Sequence, residues 1–243
     1  METKIGPLEE KSLWFLYKTQ VWLEESPQRD VVHNAIRILR SIRNIGRLAY
    51  VSAPITSGKY TYELRLRHPD MNRDQMMETA IHSNYWSGWR FVDALQKRCA
   101  CPVLYPADMT PVHQEWEQSH FQALWLSIIA EMSTEMHMCR GWEFSNGAAE
   151  EFVHVMQLRL GVPNHHDLFF TNTKGDESVE RERMKSIQVY DHSGKPMTID
   201  DGIRLIAKSI AWLERRNIDA PKLKNCLGLL HWTKDMLDQG FYQ

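Results

Sequence analysis

Apolar residues between Leu8 and Leu48 recur at intervals of three and four: Leu13, Leu16, Tyr17, Trp22 and Leu23, then Val32, Ala35, Ile36, Leu39 and Ile42. That is the period of an amphipathic helix, and the Ser26-Pro27 step that interrupts it predicts two helices. The pattern then changes. Leu48 to Ala53 is a short apolar run entering a Pro/Ser/Gly turn at Pro54 to Gly58, which reads as a buried strand followed by a loop. Tyr60 to Asp74 is polar and basic without a period and reads as loop. Helical spacing returns from Asp74 to Gln96 through Met77, Ile81, Trp89, Val92 and Leu95, before a second apolar run, Cys101 to Tyr105, closed by Pro106. Strand, loop, helix and strand in this order open a parallel βαβ unit.

Glu115 to Met132 is helical again, with Trp116, Phe121, Leu124, Trp125, Ile128 and Ile129 on or near one face. Glu135 to Cys139 is a candidate third strand. Ser145 stands where an N-cap is wanted, ahead of a helix from Gly147 to Leu160. After a polar, charge-rich connection at Asn164 to Lys185, a helix begins at Thr198 with Asp200 and Asp201 in its first turn, and another follows Pro221. The pattern predicts a three-layer, Rossmann-like α/β domain with a mainly parallel sheet, extended by N-terminal and C-terminal helices. Residues 1–46 are the N-terminal helical extension and 47–163 the α/β domain. Residues 164–243 are a connection and helices packing on that same domain. No internal repeat argues for a second domain.

Composition narrows the partners. A formal net charge of -2, from 29 basic and 31 acidic residues, supplies no bulk field for a nucleic-acid polymer, although a single nucleotide needs none. Met1 to Glu10 is charged where a signal peptide needs an apolar run, and no window holds the ~20 apolar residues of a membrane span, so a cytoplasmic protein with no membrane partner is expected. Cys99, Cys101, Cys139 and Cys226 form no CxxC pair and no zinc spacing, so reduced thiols are expected, with Cys99-Ala100-Cys101 read as core. His137, His154 and His165-His166 close on no helical face with a carboxylate. No metal site is expected.

Three segments stand at the ends of predicted strands, where open α/β sheets bind ligands: Tyr50 to Gly58, Leu104 to Asp108 and Gly141 to Glu151. In the first, Ser52, Thr56 and Ser57 and the backbone of Pro54, Ile55 and Gly58 suit a phosphate or ribose, or else an ordinary turn. In the third, Ser145, Asn146 and Gly147 offer hydroxyl and backbone donors at a helix N-terminus, a ready anion site. Glu150 and Glu151 follow within what reads as the first turn. There the dipole favours an ionised carboxylate, whether for catalysis or merely for helix stability.

The succession YVSAPITSG, YPAD and GWEFSNGAAEE resembles the nucleoside 2-deoxyribosyltransferase-like superfamily, closest to its nucleotide N-glycosidases and its uncharacterised bacterial and phage branch. The resemblance covers about Leu48 to Leu160. It implies that Glu151 attacks the anomeric carbon, that Tyr50 supports it, that Ser145 helps hold a 5′-phosphate, and that Ala53 to Thr56 face the sugar or phosphate. The chain departs from the family where an acidic partner is usual, having Leu126 or Ser127 and then Ser133 or Thr134. Asp108 or Glu143 are the candidate substitutes. Trp142 and Tyr105 are candidates to stack on a base, or core residues.

The expected activity is hydrolysis or transfer at the N-glycosidic bond of a nucleoside 5′-monophosphate or nucleoside, with no cofactor. The resemblance also implies sites completed across subunits, hence a homodimer or higher homo-oligomer. Two alternatives stand beside it: a nucleotide-binding or sensing module without turnover, and an assembly role for the tryptophan-rich helices.

Overall fold

The computed structural model describes residues 47–109, 118–159 and 186–240. The two predicted N-terminal helices and the Asn164 to Lys185 connection lie outside them. Ala49–Ser52 (β1), Val103–Leu104 (β2), Glu135–Met138 (β3) and Gln188–Tyr190 (β4) form one sheet, every pair parallel, in the order β2-β1-β3-β4. Six helices flank it: Lys59–Arg67 (α1), Arg73–Gln96 (α2), Gln118–Met132 (α3), Asn146–Leu158 (α4), Ile199–Glu214 (α5) and Pro221–Asp238 (α6). The three-layer α/β fold expected from the pattern is the one observed.

Side chains alternate across a strand, so the pairing of Tyr50 with Met136 and of Ser52 with Met138 puts these four on one face. Tyr50, Met136 and Met138 pack there against Ile128 and Ile129 of α3, Phe152 and Met156 of α4, Ile206 of α5 and Leu230 of α6. Val51 points the other way, into a smaller cluster with Val92 and Leu95 of α2. All residues of β1 and β3 are buried, which suits the short apolar run of β1, whereas β3 alternates Glu135 and His137 with Met136 and Met138 and buries its polar pair as well. The layers sit close. A Cβ at Gly202 of α5 would come within 2.1 Å of the Phe152 ring, so only glycine lets α5 lie on α4 there.

Two expectations are corrected. The stretch from Tyr60, read as loop, is mostly α1, whose only buried residues are Thr61 and Leu64; two positions on an otherwise charged helix make no apolar stripe. β4 was not anticipated, because three residues with Val189 alone fully buried carry no strand signal; pairing of Val189 with Met136 recruits them. The start of α5 is as expected: the Thr198 hydroxyl accepts from the Asp201 N–H, and the Asp201 carboxylate accepts from the Thr198 N–H in return.

Candidate active site

Because all four strands run parallel, the segments leaving β1, β2 and β3 emerge at the same edge of the sheet. The chain leaves β3 through Gly141, whose φ of 84° is left-handed, and a short 3₁₀ turn at Trp142–Phe144. Ser145 then caps α4, its Oγ accepting from the Ala148 N–H at 3.4 Å. No acidic residue lies in the first turn of α4: with the helix starting at Asn146, Glu150 and Glu151 fall in the second, which corrects the expected placement.

That offset carries Glu151 down onto the sheet. It is 7% exposed, and the Tyr50 hydroxyl donates to its Oε1 at 2.8 Å while the Ser52 hydroxyl donates to Oε2 at 2.5 Å. Tyr50 and Ser52 are two apart on β1 and so share the face that α4 covers. Among the described residues no cation pairs with Glu151. Burial pushes its carboxyl up to about 7 against the pull of the Ser52 and Tyr50 hydrogen bonds, with the neighbouring Glu150 charge adding to the rise. The expectation of a dipole-favoured ionised carboxylate is corrected accordingly, since desolvation outweighs the other influences on it. The Tyr50 phenol is held well above its ordinary range, first by its own burial and then by the Glu151 charge.

The loop after β1 is tied down on both sides. Ser57 Oγ accepts from the Asn146 N–H at 3.1 Å and lies 3.5 Å from Ser145 Oγ, joining the loop to the start of α4. From α2, the Asn84 amide donates to the Ile55 carbonyl at 2.9 Å and reaches Thr61 Oγ1 at 3.4 Å. Pro54 and Gly58 are buried against each other, and a Cβ on Gly58 would come 2.7 Å from Pro54 Cβ. Thr56 is left exposed at the tip.

Beside Gly147, α3 contributes Gln122. Its Oε1 lies 3.6 Å from where a Gly147 Cβ would sit, and its buried Nε2 has no hydrogen-bond partner among the described residues. Glu143 is half-buried, and burial raises its carboxyl against the opposing charges of His192, Lys59 and Arg140. Three basic side chains, following β1, β3 and β4, thus act at this edge.

Other predicted site residues stand apart from Glu151. Asp108 is exposed at the end of the 3₁₀ turn after β2, where it accepts from the Tyr85 hydroxyl at 2.9 Å; neither oxygen of Glu151 bonds to it. Trp142 is 3% exposed and stacked on Phe152 at 4.8 Å, so it is a core residue and not a platform for a ligand. Tyr105 is buried too, donating to the Tyr85 carbonyl and lying where a Gly88 Cβ would be. Gln122, Asn84 and Lys59 were not singled out in the sequence, where a mid-helix amide and a loop lysine look like ordinary surface residues. No family model matches the sequence, and neither a curated protein nor a solved structure matches it.

Proposed function

We propose that the protein cleaves or transfers at the N-glycosidic bond of a nucleoside 5′-monophosphate or nucleoside, with Glu151 as nucleophile. The observation that carries this reading is the Tyr50–Ser52–Glu151 arrangement: a buried carboxylate at the ligand-binding edge of a parallel sheet, oriented by two hydroxyls and neutralised by no described cation. A carboxylate offers about four lone-pair sites, so two hydroxyl donors leave it able to bond a carbon. Glu151 attacks C1′ as the bond to the base breaks through an oxocarbenium-like state, and the glycosyl ester is then resolved by water or a second base. Charge leaves Glu151 as the ester forms, which its buried setting favours. Glu143, whose carboxyl burial raises, is suited to protonate the departing base; Asp108 is the other candidate.

Lys59, Arg140 and His192 with the capped start of α4 support a phosphate-bearing ligand at this edge, and the unpartnered Gln122 donor supports an acceptor beside Gly147. The tethered backbone of Pro54, Ile55, Thr56 and Ser57 faces the sugar or phosphate in this reading. Trp86 and Trp89 on α2, 43% and 41% exposed and in edge-to-face contact, favour self-association as a homodimer or larger oligomer.

A second reading is a nucleotide-binding or sensing module without turnover, favoured because no second carboxylate meets Glu151 among the described residues. A chromatographic screen of nucleosides and 5′-monophosphates for released base separates the two. Base release that Glu151→Gln abolishes supports the enzyme; a ligand-induced rise in melting temperature with no base released supports the binding module. Among the described residues no helix is long and apolar enough to cross a membrane.

A further inference from the structure

A second buried glutamate gathers sulfur and nitrogen at the opposite edge and on the opposite face of the sheet from Glu151. Glu135 opens β3, with its side chain 11% exposed. Cys101 Sγ lies 3.3 Å and Cys99 Sγ 3.8 Å from its Oε1, and Arg47 Nη2 reaches the same oxygen at 3.1 Å. His137, two residues along β3 and therefore on the same face, places Nε2 3.2 Å from Oε2, and its ring stacks on Tyr190. The donor atoms of Cys99, Cys101 and Glu135 all lie within 4.8 Å of one another, and no other such group of three converges among the described residues.

Cys99 and Cys101 are joined as a disulfide across Ala100, which corrects the expectation of reduced thiols; their Cα atoms, 5.4 Å apart, fall within the range such bonds need. The pair is half-buried, with Cys99 packed against the smaller hydrophobic cluster of Val51, Val92 and Leu95. A disulfide has no S–H to donate, so in the oxidised state a carboxylate oxygen faces two electron-rich sulfurs, with the largely exposed Arg47 as its counter-charge. Reduction reverses the chemistry of that meeting. Two thiolates and a carboxylate then converge, and a tetrahedral zinc ion with Zn–S near ~2.3 Å and Zn–O near ~2.1 Å would set sulfur and oxygen about 3.6 Å apart. With the sulfurs joined, the observed 3.3 and 3.8 Å already bracket that separation, and reduction frees the two sulfurs to part to about 3.8 Å, as two zinc-bound thiolates need. The charge of two thiolates and one carboxylate is balanced by the zinc ion and the Arg47 guanidinium together. Thiolates disfavour magnesium and calcium, and the carboxylate disfavours monovalent copper.

We propose that reduced Cys99 and Cys101, with Glu135 Oε1, form a zinc site that disulfide formation closes. A dithiol reductant opens it: the disulfide takes two electrons and two protons, the dithiol becomes a disulfide, and zinc binding then releases both thiol protons to solvent. His137 is a positioning residue, holding Oε2 so that Oε1 faces the sulfurs.

The test uses the full chain, reduced with a phosphine that is then removed, and titrated with cobalt(II) in competition with zinc(II). The reduced chain should bind one equivalent with a sulfur-to-cobalt charge-transfer band, and the oxidised chain should show none, a comparison that needs no variant. Cys99→Ser and Cys101→Ser should each weaken binding by about a hundredfold or more, and Glu135→Gln by about ten- to a hundredfold. His137→Gln should weaken it about tenfold while keeping the band. A reduced chain without the band, or a band that survives in the Cys99→Ser/Cys101→Ser double variant, would overturn the proposal.

Discussion

Glu151 on α4 and Glu135 on β3 are both buried carboxylates at the central strands, yet one end of the sheet offers its glutamate two hydroxyls and the other offers a guanidinium charge beside an imidazole whose own burial disfavours protonation. Tyr50 and Ser52 orient Glu151 without neutralising it, whereas Arg47 brings a guanidinium to Glu135 and His137 an imidazole. Hydroxyl dipoles offset only part of the cost of desolvating an anion, which is why the Glu151 carboxyl rises to about 7. The contrast teaches what each end is suited to. A carboxylate held by dipoles can surrender its charge to a carbon near neutral pH; one provided with a counter-charge is suited to hold a cation in company with other anionic donors.

The largest expected effect breaks the first half of that contrast. Glu151→Gln keeps the shape and removes the nucleophile, so base release should fall by at least about a thousandfold in a chromatographic assay, with the fold intact by circular dichroism. If Glu150→Gln is the variant that loses activity, the role belongs one residue earlier. The same substitution sharpens the electrostatic side. Since burial raises Glu151 from 4.5 to about 7 in the folded chain, the fold binds an extra proton between those values. Its contribution to stability is therefore full below about 4.5 and is lost as pH rises through about 7, an effect of about 3 kcal/mol at most. Glu151→Gln should accordingly be more stable than the wild type at pH 8 and nearly equal to it at about pH 4, as urea unfolding at the two pH values would reveal.

Turnover should respond in the opposite sense, rising with pH through about 7 as the carboxylate form appears. Tyr50→Phe removes one of the two donors that favour that form. A hydrogen bond to a charged group contributes about 1.5–3 kcal/mol, so the rising limb should move up by roughly one to two pH units. An unmoved limb would mean that the Tyr50 hydroxyl is structural only.

The smallest effect concerns Ser145. As the N-cap of α4 its loss in Ser145→Ala costs about 1 kcal/mol of stability. If its hydroxyl also meets a phosphate, calorimetry should record a roughly ten- to hundredfold loss of monophosphate binding and little change for the matched nucleoside. Equal losses for both ligands leave Ser145 as a cap alone.

Much of this fold is legible because its signals are local. The β1 run into Pro54, the capping residues Ser145 and Thr198, and the spacing along α2 and α3 each rest on neighbours within a turn or a strand. What escaped depends on distant partners. β4 exists through its pairing with β3, and α1 through two residues buried against the rest of the molecule. At the site, the sequence places Tyr50, Ser52 and Glu151 on the right segments, but not the hydrogen bonds spanning about a hundred residues that join them. For Trp142 the sequence leaves stacking platform and core residue both open, because composition cannot tell a buried ring from an exposed one, and burial decides for the core. Nor does any spacing rule tie Cys99-Ala100-Cys101 to a glutamate 34 residues further on; the β1–β3 register and the turn ahead of β2 do that.

The nucleophilic role of Glu151 is tested most directly by mass spectrometry of the peptide containing it, after the protein is mixed with a cleaved nucleoside monophosphate and quenched in acid. The account predicts a sugar-phosphate adduct on Glu151, absent from Glu151→Gln. Base released at full rate by Glu151→Gln, with no adduct on that peptide in either protein, would contradict it.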